Sequence, residues 1–132
     1  MPDRRAKWLA AVLWFECGIL LSALIAVVLP HAWMDLIHGQ MGLGELPRGA
    51  IVEYLTRSLS LVYASMGPLC GFLARDVVRY REVIGFQALV KIAFGLGLFA
   101  LDLSLGMPLF WTVCEGPLIV LLSLLVQRLA RP

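Results

Sequence analysis

Residues 8–29 read WLAAVLWFECGILLSALIAVVL: 22 residues interrupted by one charge, Glu16, and closed by Pro30. As a helix rising 1.5 Å per residue, this stretch covers about 33 Å, enough to cross a bilayer's hydrocarbon core of about 30 Å. Pro30 cannot continue a regular helix, so the apolar run stops where a span should stop. Arg4, Arg5 and Lys7 precede it as a positive leader. A cleaved signal peptide has such a leader too, but its apolar region is shorter, and Leu29-Pro30-His31 lacks the small residues of a cleavage site. The stretch is therefore read as a first membrane span.

The rest of the chain extends that reading. Of 132 residues, 61% are hydrophobic and 15% charged, and the mean hydropathy is +0.87. The hydrophobic share is about 80 residues, or four spans of roughly 20 each, with nothing left for a second domain. Such a balance excludes a disordered chain, a nucleic-acid binder built on a basic patch and a disulfide-stapled secreted scaffold. Residues 31–50 carry Gly39, Gly42, Gly44, Pro47 and Gly49, the composition of an irregular loop, with one short interfacial turn expected over residues 31–38. A second span covers residues 51–74, with Glu53 and Arg57 inside it, and the charged run 75–82 forms an exposed hairpin connection. The third span covers residues 83–105, with Lys91 and Asp102. The fourth must start near Pro108, because residues 117–129 alone give about 20 Å of helix, too short to cross. Glu115-Gly116-Pro117 then lies inside a span, and Pro117 kinks it by freeing a carbonyl one turn earlier. The expected fold is all-α: one integral membrane four-helix bundle over residues 1–132.

Orientation follows from the basic residues. Arg4, Arg5, Lys7, Arg75, Arg79, Arg81, Arg128 and Arg131 fall on one side of this topology, and only Arg48 falls on the other. Both termini are expected in the cytoplasm. Trp8 and Tyr80 would mark the inner boundary, and Trp33, Tyr54 and Trp111 the outer one.

A charge in hydrocarbon costs at least a few kcal/mol, so each one needs an inward orientation and a partner. Counting from the inner boundary, Glu16 and Lys91 both lie about 14 Å deep and share a plane. Arg57 lies at about 27 Å, Asp102 at about 30 Å and Glu115 at about 20 Å. The expectation is an inner pair, Glu16 with Lys91, and an outer cluster of Arg57 with Asp102 and Glu53. Glu53 and Arg57 are also i and i+4, so they can satisfy each other on one helix. These pairs can fix helix register, or Glu16, Lys91 and Glu115 can line a polar pocket. Glu115 has the fewest obvious partners. A carboxyl group removed from water costs less as the neutral acid, which makes it a candidate for handling a proton. Its alternative is a neutral acid bonded to backbone freed by Pro117.

His31 and His38 are seven apart beside one external connection, which does not suit a metal or haem site across a bundle; no metal is expected. His31 with Asp35, at i and i+4, reads as an interfacial pair. Cys17, Cys70 and Cys114 lie within spans without a CxxC spacing and read as small apolar packing residues. Gly18, Ser22 and Ala26 form a small-residue stripe on the first span, and Thr56, Ser60, Ala64, Gly67 and Gly71 one on the second, where helices can approach closely. Gly67 and Gly71 read as a contact within the chain before a dimer face.

Several short segments carry a resemblance: Leu29-Pro30-His31-Ala32-Trp33-Met34-Asp35 closing the first span, Ala74-Arg75-Asp76 closing the second, Lys91 early in the third and Trp111-Thr112 in the fourth. In this order they resemble a group of small, uncharacterised bacterial four-helix membrane proteins, which in turn look like the DoxX-like superfamily. The resemblance implies a single four-helix domain in a bacterial cytoplasmic (inner) membrane. For some members an association with quinone and sulfur oxidation has been proposed, and no residue here carries that chemistry over. Fold alone does not give function. Three readings are open: a non-catalytic bundle that binds membrane lipid, a quinone-like molecule or a partner subunit, or pairs with a second copy of itself; a small transporter coupled to protons through Glu115 or Glu16; and a membrane enzyme using Lys91 and Glu16 as acid and base. No cofactor is required by any motif, though lipid or quinone would fit the first reading.

Overall fold

The structure, a computed structural model, describes residues 4–131. It is all-helical, with no strand among the described residues. Seven helical segments follow in order: α1 (Arg4–Ser22), α2 (Leu24–Val28), α3 (His31–Gln40), α4 (Ala50–Ala74), α5 (Arg81–Leu105), α6 (Leu109–Cys114) and α7 (Gly116–Ala130). The first two and the last two are interrupted rods, Arg4–Val28 and Leu109–Ala130. Among the described residues, these two rods and α5 are the three helices long and apolar enough to cross a membrane. Helix α4 is as long as α5, at 25 residues, but Glu53, Arg57 and its hydroxyl side chains make it less apolar. Those hydroxyls do not stay bare: Thr56, Ser58, Ser60 and Ser65 donate to carbonyls three or four residues back on the same helix.

The chain divides into two compact units, Met1–Leu13 with Leu73–Pro132, and Trp14–Phe72. In the first, Ala6, Leu9, Leu13, Leu73, Ala74, Val77, Ile84, Ala88, Val126 and Ala130 form one buried apolar cluster. The spacing of Ala6, Leu9 and Leu13 puts them on one stripe of α1, and Ile84 with Ala88 does the same on α5. Large apolar side chains point outward along every long helix: Phe15, Ile25, Leu59, Phe86, Leu103 and Leu121 are all more than half exposed. Water would penalise that surface and hydrocarbon would not, which is the expected distribution for helices surrounded by lipid.

Helix ends fall where local chemistry places them. Pro30, extended at ψ 146°, precedes α3, and Gly42 and Gly44 at φ 72° and 82° follow it. The expected short turn over residues 31–38 is thus a ten-residue helix, because no glycine or proline interrupts the sequence before Gly39. Helix α5 ends at Gly106, φ 66°, where Gly106 N–H donates to Leu103 O and Met107 N–H to Asp102 O at 3.0 Å. This paired closure needs a left-handed residue, which glycine adopts without a Cβ clash. Pro108 then opens α6, so α5 and the last rod form a tight helical hairpin. The last rod breaks at Glu115, with ψ −79°, and Pro117 sits in the first turn of α7, as the kink expectation requires.

Candidate functional site

Within the hairpin, α5 and α7 meet backbone to backbone. A Cβ on Gly95 would stand 2.8 Å from Gly116 O, and one on Gly116 would stand 2.5 Å from Gly95 O and 2.9 Å from Phe99 Cβ. Gly95, Phe99 and Asp102 share a stripe of α5, and Thr112, Gly116 and Ser123 share one of the last rod. An antiparallel register through Gly95 and Gly116 brings Asp102 opposite the turn that holds Thr112. Both are deeply buried, Asp102 with 5% and Thr112 with 3% of its surface exposed.

The polar groups here are unequal. Thr112 directs its hydroxyl back to the Met107 and Pro108 carbonyls, at 3.4 and 3.3 Å. Glu115, half-buried at the helix break, accepts the Trp111 indole N–H on Oε2 at 2.8 Å. Trp111 therefore turns its N–H toward Glu115 and does not offer it to a lipid headgroup. Asp102 lies in the last turn of α5, in the same hairpin as Glu115. Its Oδ2 is buried without a hydrogen-bond partner among the described residues. Its position adds to the cost, because a negative charge in the last turn of a helix opposes the macrodipole, whereas Glu115 at the start of α7 is favoured by it. Chemically, this is one carboxylate already holding a donor and a second with room for one: a hydroxyl, an N–H, a water or a proton.

Residues 14–72 hold a different polar cluster. Arg57 donates to the carbonyls of Val27 and, at 3.2 Å, Leu29, the end of the α2 segment. It also lies 3.7 Å from Glu53, the contact its i, i+4 spacing allows. Glu53 in turn lies 3.7 Å from His31 Nδ1. The expected His31–Asp35 pair does not form. Asp35 instead accepts the Leu46 N–H at 2.7 Å, and His38 Nδ1 contacts Gly44 O at 3.0 Å, so the helix α3 holds the glycine-rich loop that follows it. A loop amide with no helical partner gains most from a carboxylate acceptor, and Asp35 supplies it.

Glu16 is 5% exposed and accepts a contact from the Cys70 thiol at 3.8 Å. Sequence reasoning missed Cys70, which it read as packing only; a small thiol opposite a buried acid is the signal it did not weigh. All three cysteines are free, Cys17 and Cys70 buried and Cys114 exposed. Lys91 is half-buried on α5, one turn before Gly95. The close approach in this unit runs through Gly67 and Gly71. A Cβ on Gly67 would meet Leu21 Cγ at 2.8 Å and Cys17 O at 3.1 Å, and one on Gly71 would meet Cys17 Sγ at 3.1 Å. The stripe expected on the first span is corrected: Gly18 has nothing within 4 Å of such a Cβ, and Ser22 is exposed. Gly18 lies about 100° around the helix from Cys17, so burying one turns the other outward.

Among the described residues no group of three or more His, Cys, Asp or Glu side chains could hold a metal ion. No family model, curated protein or solved structure matches this chain.

Proposed function

We propose that the chain is a multi-pass membrane protein that crosses the bilayer four times with both termini in the cytoplasm, and that it holds a lipid-like or quinone-like molecule and performs no reaction on it. The observation that carries this reading is the Asp102 carboxylate, buried in a helical hairpin of membrane-capable rods with an oxygen that lacks a donor. A molecule with an apolar body and a hydroxyl or N–H head would give Asp102 that donor while its body lay along the outward apolar side chains. The fourth crossing is α4, whose charges pair with each other and whose hydroxyls return to its own carbonyls. The basic residues flanking the spans give the cytoplasmic assignment. A bacterial inner membrane and a place among DoxX-like bundles fit the same reading and rest on the resemblance alone.

The test is extraction of the purified full chain in mild detergent and mass spectrometry of whatever remains bound. A hydroxyl- or N–H-bearing amphiphile should be retained near one per chain, and Asp102→Leu should lower its retention about tenfold, the equivalent of one hydrogen bond to a charged group. A wild-type chain that retains only bulk lipid in bulk proportions overturns the reading.

One observation favours a second reading. Two acids share one hairpin of membrane-capable helices, Asp102 in the last turn of α5 and Glu115 at the break in the last rod. Two such acids can exchange a proton, which suits a small proton-coupled transporter. Proton flux in liposomes separates the two: Glu115→Gln abolishes the flux if this residue couples transport, and no flux above empty liposomes removes the reading.

A further inference from the structure

The end of the hairpin away from Asp102 carries a second feature. The first turn of α5 and the last turn of α7 border an open depression lined by Arg81, Glu82, Gly85, Gln127, Ala130 and Arg131. Two guanidinium groups outnumber the one carboxylate, and glycine, alanine and methylene groups make up the remaining wall. Two buried polar atoms have no hydrogen-bond partner among the described residues: Arg81 Nε, a donor, and Gln127 Oε1, an acceptor. Gln127 Oε1 lies over Gly85, 3.6 Å from where a Cβ there would be. Helix α5 and the rod Leu109–Ala130, which α7 ends, are both long and apolar enough to cross a membrane, so their shared end lies at headgroup level.

We propose that this depression binds the headgroup of an anionic phospholipid that carries both a phosphate and a hydroxyl, as phosphatidylglycerol does. The phosphate lies between the guanidinium groups of Arg81 and Arg131, with the amide end of the 25-residue helix α5 adding to the field. The headgroup hydroxyl donates to Gln127 Oε1. Glu82 repels the phosphate and holds it to the side of the two arginines. The acyl chains run along the outward faces of Val83 and Phe86, both more than half exposed. Basic pockets between membrane helices at the cytoplasmic face take phosphate headgroups in this way. The site shares no residue with Asp102 and Glu115, so it stands or falls independently of the ligand proposed there.

The experiment uses the full chain in neutral detergent with equal amounts of phosphatidylglycerol, phosphatidylethanol and phosphatidylcholine, and counts retained lipid by native mass spectrometry. Phosphatidylglycerol should be retained most, and Arg81→Gln with Arg131→Gln should lower its retention about 30-fold, as two basic contacts to an anionic headgroup imply. Arg79→Gln with Arg128→Gln removes the same charge from the same end of the molecule outside the depression, and should leave the preference intact. Arg131→Gln alone, beyond the last helix, disturbs no packing and should still cost about fivefold. Gln127→Leu should erase the preference over phosphatidylethanol, which has the phosphate but no headgroup hydroxyl. Equal losses in both double variants, or equal retention of phosphatidylcholine, overturn the site. Displacement of phosphatidylglycerol by a large excess of inorganic phosphate assigns it to free anions and overturns the lipid.

Discussion

Arg57 and Asp102 are both charged side chains inside apolar helices, yet their surroundings differ. Arg57 meets two backbone carbonyls and a carboxylate within residues 14–72. Asp102, on α5, keeps an oxygen without a donor, as do Ser123 Oγ and Gln127 Oε1 along the α5–α7 seam. A charge whose partners are all intramolecular holds helices in place. A buried group without a partner costs stability wherever it sits, and proteins retain such groups where a ligand or proton completes them. The difference separates Arg57, a cation completed by its own unit, from Asp102, an acid that is not. His31, beside Glu53, also keeps both ring nitrogens without a hydrogen bond among the described residues, so the contrast lies between the two charges and not between the two regions.

The largest test of this contrast concerns the frame that holds Asp102. Gly116→Val should destabilise the chain by about 3 kcal/mol, read from unfolding in a detergent titration, because the added methyl groups meet Gly95 O and Phe99. Gly18→Ala should change stability by less than about 1 kcal/mol in the stabilising direction, since its surroundings are open and alanine favours helix. Equal effects at the two glycines would mean that α5 and α7 do not meet closely at Gly95 and Gly116.

Next in size, Arg57→Met should cost about 2 to 3 kcal/mol in the same titration, because Glu53 and two carbonyls lose their cation together. Asp102→Leu should do the reverse: unchanged stability or a gain of about 1 kcal/mol, alongside the loss of bound ligand. A destabilised Asp102→Leu protein would mean that Asp102 is as fully partnered as Arg57. The smallest effect is at Ser123, 1% exposed with an unpartnered hydroxyl. Ser123→Ala should gain about 0.5 kcal/mol, since no hydrogen bond is lost and a buried hydroxyl is removed.

Much of the helix layout is written in local sequence. Pro30, Gly106 and Pro108 stand at rod ends, and Pro117 follows the break in the last rod, because each acts on the backbone through its own ring or missing Cβ; Pro68, inside the unbroken α4, shows that such a residue does not by itself end a helix. The polar partners could not be read in the same way. Counting residues gives the depth of a side chain but not its direction around the helix. The Glu53 contact of Arg57 is legible from its i, i+4 spacing, whereas the α2 carbonyls that Arg57 also meets carry no sequence signal, since every residue has one. The same limit explains Gly18: a small residue permits close approach without specifying which face is approached, and Cys17 faces the neighbouring helix in its place.

Composition and apolar run length alone therefore determined an all-helical chain with helices able to cross a membrane, since hydrocarbon allows no other way to satisfy a continuous backbone in a single short chain of this pattern. Only the tertiary structure decided which face of each helix is buried, that α3 is a helix clasping its own loop, and that Asp102 rather than Arg57 is the charge left incomplete. Those outcomes depend on rotation about helix axes and on contacts between distant backbone atoms, and both are set by how side chains from several helices fit together at once.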